Sequence, residues 1–187
     1  AFANRQIITH YVRRSLDETF GPGWGERARL LYDVCHNIAK IEEHQVDGKA
    51  RTLCVHRKGA TRALPPGHPV LPEAYRAVGQ PVLVPGDMGT ESYVLVGAEG
   101  SAESFHSSCH GAGRVLSRRA AIKRAKGRRL VEELQNQGIH VQAAGKRTLA
   151  EEMPDAYKDV STVVDVVEKL GFCHKVARLR PLGVIKG

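Results

Sequence analysis

The chain has 187 residues, of which 28 are Lys or Arg and 20 are Asp or Glu, so its formal net charge is +8. At about 150 residues per domain, this length predicts one domain, or one domain with an added lobe. No apolar run approaches the roughly 18–20 residues of a membrane span. The four cysteines form no Cys-x-x-Cys pair, which excludes a zinc ribbon and a disulfide-dense secreted scaffold. We therefore expect a cytoplasmic protein with no membrane partner.

The pattern of apolar residues predicts both helices and strands. The first helix is expected over residues 4–19 and ends at the Gly-Pro-Gly of residues 21–23. Asp47-Gly48, between β-prone segments, predicts a hairpin. Later elements are predicted as strands at 82–84, 93–96 and 139–143, helices at 148–152 and 161–170, and an extended segment at 175–186 interrupted by Pro181. The absence of a βαβ rhythm makes the predicted fold class α+β, with mixed β-sheets and packed helices.

The positive charge is concentrated in residues 114–129, which contain eight Lys or Arg and no acidic residue. We predict a basic helix over residues 115–137, bent or broken at Gly127, in which cations four residues apart share a face. Unpaired like charges at that spacing cost stability, and the phosphate backbone of a nucleic acid would neutralise them. A merely solvated basic face is the alternative.

Three stretches ahead of the basic segment offer candidate site residues. His36 and Asn37 are neighbours, so on a strand they would reach one site only at a strand end or an irregularity; a core histidine is the alternative. Three cations surround Gly59, which predicts either a phosphate or carboxylate site or a basic exposed loop. The turn at residues 85–90 contains two glycines, and its consecutive N–H groups could cradle a phosphate.

The fourth stretch carries the most chemistry. His110 is followed by Gly111-Ala112-Gly113 and then by the predicted start of the basic helix, where unpaired N–H groups favour an anion. An imidazole is a competent nucleophile near neutral pH and could attack phosphorus. Such a reaction on a nucleoside triphosphate needs a divalent metal to offset the phosphate charge, and His36 is the candidate ligand. The residues therefore predict a metal-dependent phosphoryl or nucleotidyl transferase that acts on nucleic acid.

Several of these stretches, in order, resemble the RtcB-type RNA ligases over essentially the whole chain. The matching pieces are Ala-Asn-Arg-Gln at the start, Cys-His-Asn-Ile-Ala-Lys, Val-His-Arg-Lys-Gly-Ala-Thr-Arg-Ala, Gly-Gln-Pro-Val-Leu, Met-Gly-Thr-x-Ser-Tyr-Val-Leu, Ser-Cys-His-Gly-Ala-Gly-Arg-x-Leu-Ser-Arg and the closing Gly-Val-Ile-Lys-Gly. Members of this family join an RNA 3′-phosphate or 2′,3′-cyclic phosphate to a 5′-hydroxyl, in tRNA splicing or RNA repair.

The resemblance implies the mechanism and the site residues. His110 would be guanylylated by GTP with the help of Mn²⁺, and GMP would then pass to the RNA 3′-phosphate before the 5′-hydroxyl displaces it. His36 matches a manganese ligand, and Asn37 a contact to the GTP phosphates. The other nucleotide-binding positions are Pro85, Gly86, Asp87, Met88, Ser92, Gly111, Ala112, Gly113, Tyr157 and Lys186. Arg114, Arg118 and Arg119 would face the RNA.

Two departures from the family accompany this resemblance. Asp87 stands where the family usually has Ser, and a carboxylate beside a phosphate is repulsive unless a metal or Arg intervenes. Family members are also more than twice as long, and their N-terminal part supplies an Asp, a Cys and two further His to the metal site. We therefore expect this chain to be the C-terminal portion of one catalytic domain, inactive without the N-terminal part. A non-catalytic module that binds RNA or a guanine nucleotide is the alternative.

Overall fold

The computed structural model describes residues 2–186, and the chain divides into two compact units, residues 1–35 and 36–187. In the first unit, helix α1 (Phe2–Phe20) is followed by the short helix α2 (Trp24–Arg27). Gly21 has a φ of 104°, which an L side chain rarely adopts, so the predicted end of the first helix is confirmed. Within residues 2–186, no helix is long and apolar enough to cross a bilayer.

The second unit begins with the predicted hairpin. Strand β1 (Asn37–Val46) pairs antiparallel with β2 (Lys49–Lys58) along its whole length. The turn residues Asp47 and Gly48 both have positive φ, at 52° and 73°, which is the left-handed pair that a two-residue hairpin turn requires. Strand β1 begins at Asn37, and residues 31–36 before it form no regular element.

The remaining elements confirm the predicted α+β class. In chain order they are β3 (Ala60–Arg62), α3 (Glu73–Arg76), β4 (Pro81–Val84), β5 (Ser92–Gly97), β6 (Ser107–Cys109), α4 (Arg118–Ala125), α5 (Leu130–Asn136), β7 (His140–Ala143), α6 (Lys146–Glu151), α7 (Val160–Lys169), β8 (Cys173–Leu179) and β9 (Gly183–Lys186). Two 3-10 turns lie at Glu99–Ser104 and Pro154–Ala156. The sheets are small: β1–β2, β3–β6, β4–β5–β8 and β7–β9.

The main core lies between the three-stranded sheet and helix α7. Val160, Val164 and Val167 follow helical spacing and pack with Val82 and Leu95 of the sheet. Asp159 caps the helix by accepting hydrogen bonds from the N–H groups of the first turn. This core fixes β4 and β5, and therefore holds the turn between them, residues 85–91, in place.

The basic segment is two helices and not one. Gly127 has a φ of +83°, so the chain turns between α4 and α5 at the predicted break. Helix α4 starts only at Arg118, and the Ser117 hydroxyl caps it by accepting a 3.2 Å hydrogen bond from the Ala120 N–H. The start of this helix is therefore separated from His110 and already capped. The expectation that its N–H groups adjoin His110 is wrong.

The sequence does not predict that β7 and β9 pair with each other to form a sheet. The two strands run parallel, with Val141 beside Val184 and Ala143 beside Lys186. Parallel strands require a long connection, and here it contains α6, α7 and β8. This pairing anchors Lys186 near the end of the chain.

Candidate active site

His110 and His36 lie side by side although they are far apart in sequence. Their ring centroids are 4.8 Å apart and the planes meet at 70°. His36 immediately precedes β1 and is exposed, which confirms its expected place at a strand end and excludes a core position. His110 immediately follows β6 and is half-buried. The ends of two strands thus present two imidazoles to one place.

The junction between β2 and β3 completes this arrangement. Gly59 has a φ of +71°, and its N–H donates a 2.9 Å hydrogen bond to the His36 carbonyl. The register of β3 and β6 places Ala60 opposite Cys109, so Gly59 lies beside His110. A Cβ at Gly59 would lie 3.5 Å from Nε2 of His110. A side chain at this position would therefore be in van der Waals contact with the His110 ring.

The protonation of His110 suits a nucleophile. Burial, and then the charge of His36, lower the pKa of His110 from its ordinary value of 6.5. A lower pKa leaves the imidazole neutral at neutral pH, with a lone pair available on one ring nitrogen.

Two of the three cations around Gly59 are bound inside the protein, whereas the third, Lys58, is exposed. Arg57 is only 2% exposed and donates hydrogen bonds of 2.7 and 3.0 Å to the two carboxylate oxygens of Glu42. Arg62 donates a 3.3 Å hydrogen bond to the same carboxylate. Burial by itself raises the pKa of Glu42, but these cations and His44 lower it to about 2. Two of the cations are therefore neutralised inside the protein.

The turn at residues 85–88 faces the last strand, β9, across a cavity. This cavity has a volume of about 360 Å³ and is lined on one side by Gly86, Asp87, Met88 and Ser92 and on the other by residues that include Lys186. The structure therefore brings together five of the residues proposed to hold the nucleotide. The Met88 side chain, 2% exposed, belongs to a core cluster with Leu134 and Ile139.

Hydrogen bonds within the turn give it a fixed shape. The Ser92 hydroxyl accepts a 3.1 Å hydrogen bond from the Gly86 N–H, and the Thr90 hydroxyl accepts one of the same length from the Asp87 N–H. The Asp87 carboxylate accepts a 2.7 Å hydrogen bond from the Gly89 N–H. Asp87 thus stabilises its own turn, which accounts structurally for the carboxylate at a position where Ser was expected.

The Gly111-Ala112-Gly113 loop and Arg114 directly follow His110 in the chain. Ala112 is buried in the main core, which fixes the loop, and the Pro85 carbonyl lies 3.6 Å from the position of a Cβ on Gly111. The loop following His110 is therefore adjacent to the start of the turn at residues 85–88. Pro85 itself is exposed.

Arg114 makes internal contacts with all three of its guanidinium nitrogens. The partners are the Leu116 carbonyl at 3.2 Å, the Glu152 carboxylate at 3.1 Å, the Tyr157 hydroxyl at 2.9 Å and the Glu151 carbonyl at 2.6 Å. Its guanidinium carbon also lies 4.9 Å from the centre of the Tyr157 ring. Arg114 and Tyr157 brace one another, so the contacts to RNA and to the guanine base expected of them stay predictions.

Acidic side chains, two from the following helix and two from residues 151–155, neutralise part of the basic segment. Arg128 is paired with Glu133 and Asp155, Arg129 with Glu132, and Arg118 more loosely with Glu151 at 3.9 Å. Arg118 and Arg119 are both exposed. The sequence expectation of uniformly unpaired cations is therefore wrong for several arginines, while exposed charge remains along α4.

Comparison with known proteins identifies the family. All 187 residues match the family described as tRNA-splicing ligase RtcB. The chain belongs to the RtcB family. It is 60% identical to the tRNA-splicing ligase RtcB of Thermococcus kodakarensis, over 100% of this chain and 39% of that protein. It is 55% identical to the protein of the same name from Archaeoglobus fulgidus, again over 100% and 39%, and 52% identical to the RNA-splicing ligase RtcB of Mycobacterium bovis, over 99% and 42%.

The chain thus spans about two fifths of the length of these RtcB relatives, which confirms that family members are more than twice as long. A match to the N-terminal part and a match to the C-terminal part of a relative would give the same share of its length. The expected C-terminal placement therefore stays a prediction.

The residues of this chain do not by themselves fit the manganese ion expected for an RtcB ligase. Among residues 2–186, no group of three or more His, Cys, Asp or Glu side chains converges as metal ligands. A protein site for a divalent ion needs several converging ligands, and His36 with His110 would offer two imidazoles at most. The described residues therefore form at most part of a metal centre.

The sequence offers both histidines of this candidate site but does not show what positions them. The sequence presents Gly59 only as the centre of a basic stretch, an anion site or an exposed loop, and its place beside His110 depends on the register of β3 and β6. On strand β2, Nε2 of His56 lies 3.4 Å from the side-chain oxygen of Asn37. The Gly-Ala dipeptide between two β-prone segments was the available signal for a backbone kink at this point.

Proposed function

We propose that this chain supplies the nucleophile and part of the guanylate site of a GTP- and Mn²⁺-dependent RNA ligase. The ligase would join RNA 3′-phosphate or 2′,3′-cyclic phosphate ends to 5′-hydroxyl ends. The observation that carries the proposal is the pairing of His36 with His110 at 4.8 Å in a member of the RtcB family. A half-buried imidazole with a lowered pKa is the form of histidine that can attack phosphorus at neutral pH.

In the proposed reaction, a ring nitrogen of His110 attacks the α-phosphorus of GTP. A P–N bond forms as the bond to pyrophosphate breaks. The guanylyl group then moves to an oxygen of the RNA 3′-phosphate, which breaks the P–N bond and restores the imidazole. Attack by the 5′-hydroxyl on the activated 3′-phosphate, with loss of the hydroxyl proton, forms the phosphodiester and releases GMP.

The cavity between the turn at residues 85–88 and β9 is suited to the guanylate. Gly86 and Asp87 line it, and the ammonium group of Lys186 supplies a positive charge or a hydrogen-bond donor. Loop residue Gly111 lies against Pro85, so the nucleophile and this turn belong to adjoining segments. These contacts support one nucleotide site that extends from His110 to Lys186.

We propose that the remainder of the ligase provides the other metal ligands, with His36 as the one from this chain. This division follows from the incomplete donor set among residues 2–186 and from the 39% share of the relative's length that the chain covers. The incomplete donor set also favours a second candidate function, a non-catalytic module that binds RNA or a guanine nucleotide. Transfer of label from GTP distinguishes the two.

The test is incubation with α-³²P-GTP and Mn²⁺, with this chain alone and with the separately supplied remainder of the ligase. We expect an acid-labile, base-stable label on the chain only in the mixture, and its loss in His110→Ala. His174→Ala, which changes an exposed histidine on β8, is the matched control and should keep the label. The absence of label in both conditions would overturn the catalytic proposal and leave the binding module.

A further inference from the structure

Another cavity lies where α4, α5 and α6 meet, and neither His36 nor His110 lines it. It has a volume of about 550 Å³, within the range of small-molecule sites. Its floor is aliphatic and includes Ile122, Leu130 and Leu149. We call it the lysine-rimmed cavity, because Lys123, Lys126 and Lys146 lie around this floor.

The charge at the rim is uncompensated within the protein. Two arginines also line the cavity, but Arg128 is paired with Glu133 and Asp155, and Arg129 with Glu132. Glu132, the acidic residue of the lining, is the partner of Arg129 and does not neutralise a lysine. Among residues 2–186, the three lysines form no ion pair (N···O within 4.0 Å). The cavity therefore combines an apolar floor with about three free positive charges.

We propose that the lysine-rimmed cavity receives an unpaired base of single-stranded RNA, with the three lysines on the flanking phosphates. A base has apolar faces that the aliphatic floor can cover. The phosphates on either side carry the negative charge with which the three lysines can pair. A base that is stacked and paired inside a duplex cannot enter a cavity of this kind, so the site selects single strands. The inference rests on the proposed function for its ligand, RNA, and assigns the place and form in which that ligand binds.

The position of the cavity supports RNA over another anionic partner. The exposed cations Arg118 and Arg119 lie on α4, the helix that carries Lys123, so a continuing phosphate chain would meet further positive charge beyond the cavity. An acidic amphipathic peptide would match the same apolar floor and positive rim. The test therefore includes such a peptide as a competing ligand.

The experiment measures binding of a fluorescein-labelled single-stranded RNA to the complete ligase that carries this chain, by anisotropy and across a salt series. A second RNA of equal length carries abasic sites at its centre and so keeps every phosphate. The solutions contain no GTP and no metal, so the result is independent of His110 guanylylation. We expect the base-containing RNA to bind about tenfold more tightly, a change equivalent to about 1.4 kcal/mol.

Two kinds of variant separate the base from the phosphates. Ile122→Trp fills the cavity and should remove the preference for the base-containing RNA while leaving the affinity for the abasic RNA unchanged. Ala150→Met, at another lining position, fills it with a smaller side chain and gives a second measurement if the Trp variant does not fold. The triple variant Lys123→Ala, Lys126→Ala and Lys146→Ala should weaken both RNAs and reduce the salt slope by about 2. Lys169→Ala, an exposed lysine at the end of α7, is the matched control.

Equal affinity for the two RNAs in the unaltered protein, or a preference that survives both filling variants, would overturn the proposal. So would tight binding of an acidic Glu/Leu helical peptide that the filling variants abolish while RNA binding persists. That last result would assign the cavity to a protein partner.

Discussion

A Cβ added to Gly59 would lie 3.5 Å from Nε2 of His110, with the Gly59 backbone at a φ of +71°. We predict that Gly59→Ala lowers the free energy of unfolding by about 1–2 kcal/mol, the cost of a left-handed backbone for an L residue. It should also slow labelling of His110 by GTP, because the new methyl group contacts Nε2. Gly48→Ala introduces the same strain at a φ of +73° in the hairpin turn, where a Cβ meets nothing within 4 Å. If both variants slow labelling equally, the contact with His110 has no specific effect.

The pKa of His110 can be measured directly by NMR titration of its ring in the absence of GTP and metal. We predict a midpoint below 6.5, because burial and then the charge of His36 both disfavour the imidazolium. In His36→Asn the midpoint should rise but stay below 6.5, since burial, the larger cause, remains. Because only the neutral ring can attack phosphorus, a lowered pKa preserves the nucleophile as the pH falls toward that midpoint. A midpoint at or above 6.5 in the unaltered protein would contradict this account.

The Asp87 carboxylate holds its turn and also places a negative charge where the phosphates of GTP are proposed to bind. Asp87→Asn keeps an oxygen that can accept the 2.7 Å hydrogen bond from the Gly89 N–H and removes the charge. We predict that it tightens GTP binding roughly fivefold, corresponding to about 1 kcal/mol of repulsion between solvated charges. Calorimetric titration measures the change, and Asp47→Asn in the hairpin turn is the control. Weaker binding in Asp87→Asn would instead show that the charge serves a bound cation.

The contacts of Arg114 predict a structural effect that an RNA contact alone would not have. Lys cannot make the four hydrogen bonds that the guanidinium makes, so Arg114→Lys should lower the free energy of unfolding by about 2 kcal/mol. Arg118, whose side chain is 72% exposed and 3.9 Å from Glu151, is the control, and Arg118→Lys should change stability by less than about 0.5 kcal/mol. Denaturant unfolding measures both. Similar stability of the two variants would contradict the bracing role.

Features that depend on neighbouring residues could be predicted from the sequence, and those that depend on distant pairing could not. The Asp47-Gly48 turn and the break at Gly127 require backbone conformations that the local sequence itself favours. The parallel pairing of β7 with β9 depends on how the intervening helices pack, and no local pattern encodes it. The α+β class was therefore predictable, whereas the sheet that holds Lys186 was not.

The same distinction applies to the candidate site. The glycine-rich surroundings of His110 make it a candidate nucleophile, and the metal that such chemistry needs makes His36 a candidate ligand, but only the positions of β1 and β6 show that the two rings adjoin. The sequence leaves both an anion site and an exposed basic loop open for the cations around Gly59, because Glu42, the partner of Arg57 and Arg62, lies on another strand. Ion pairs across a fold are invisible to an inspection of local charge.

The histidines beside Glu42 should make the fold sensitive to acid in a defined range. His106, which lies 5.5 Å from both His44 and His68 by ring centroids, has its pKa lowered to about 4 by burial and then by His68 and His44. Between pH 6.5 and about 4 the unfolded chain binds a proton at this residue that the folded chain does not, so stability falls as the pH falls. We expect a loss of about 1–2 kcal/mol, less than the full shift implies because the ring is partly solvated.

The variant His106→Gln isolates this contribution, because Gln keeps a polar group near the Ser101 hydroxyl, 3.0 Å from the ring in the unaltered protein, and has no charge to gain. Its unfolding free energy should depend less steeply on pH between 6.5 and 4. Part of the dependence should remain, since burial and the charge of Arg62 also lower the pKa of His68. Glu42, with a pKa of about 2, adds a separate loss only between pH 4.5 and 2, where its pairing with Arg57 ends. Denaturant unfolding across the pH series separates the two ranges, and a slope between pH 6.5 and 4 that is unchanged in His106→Gln would show that His106 is not the group responsible.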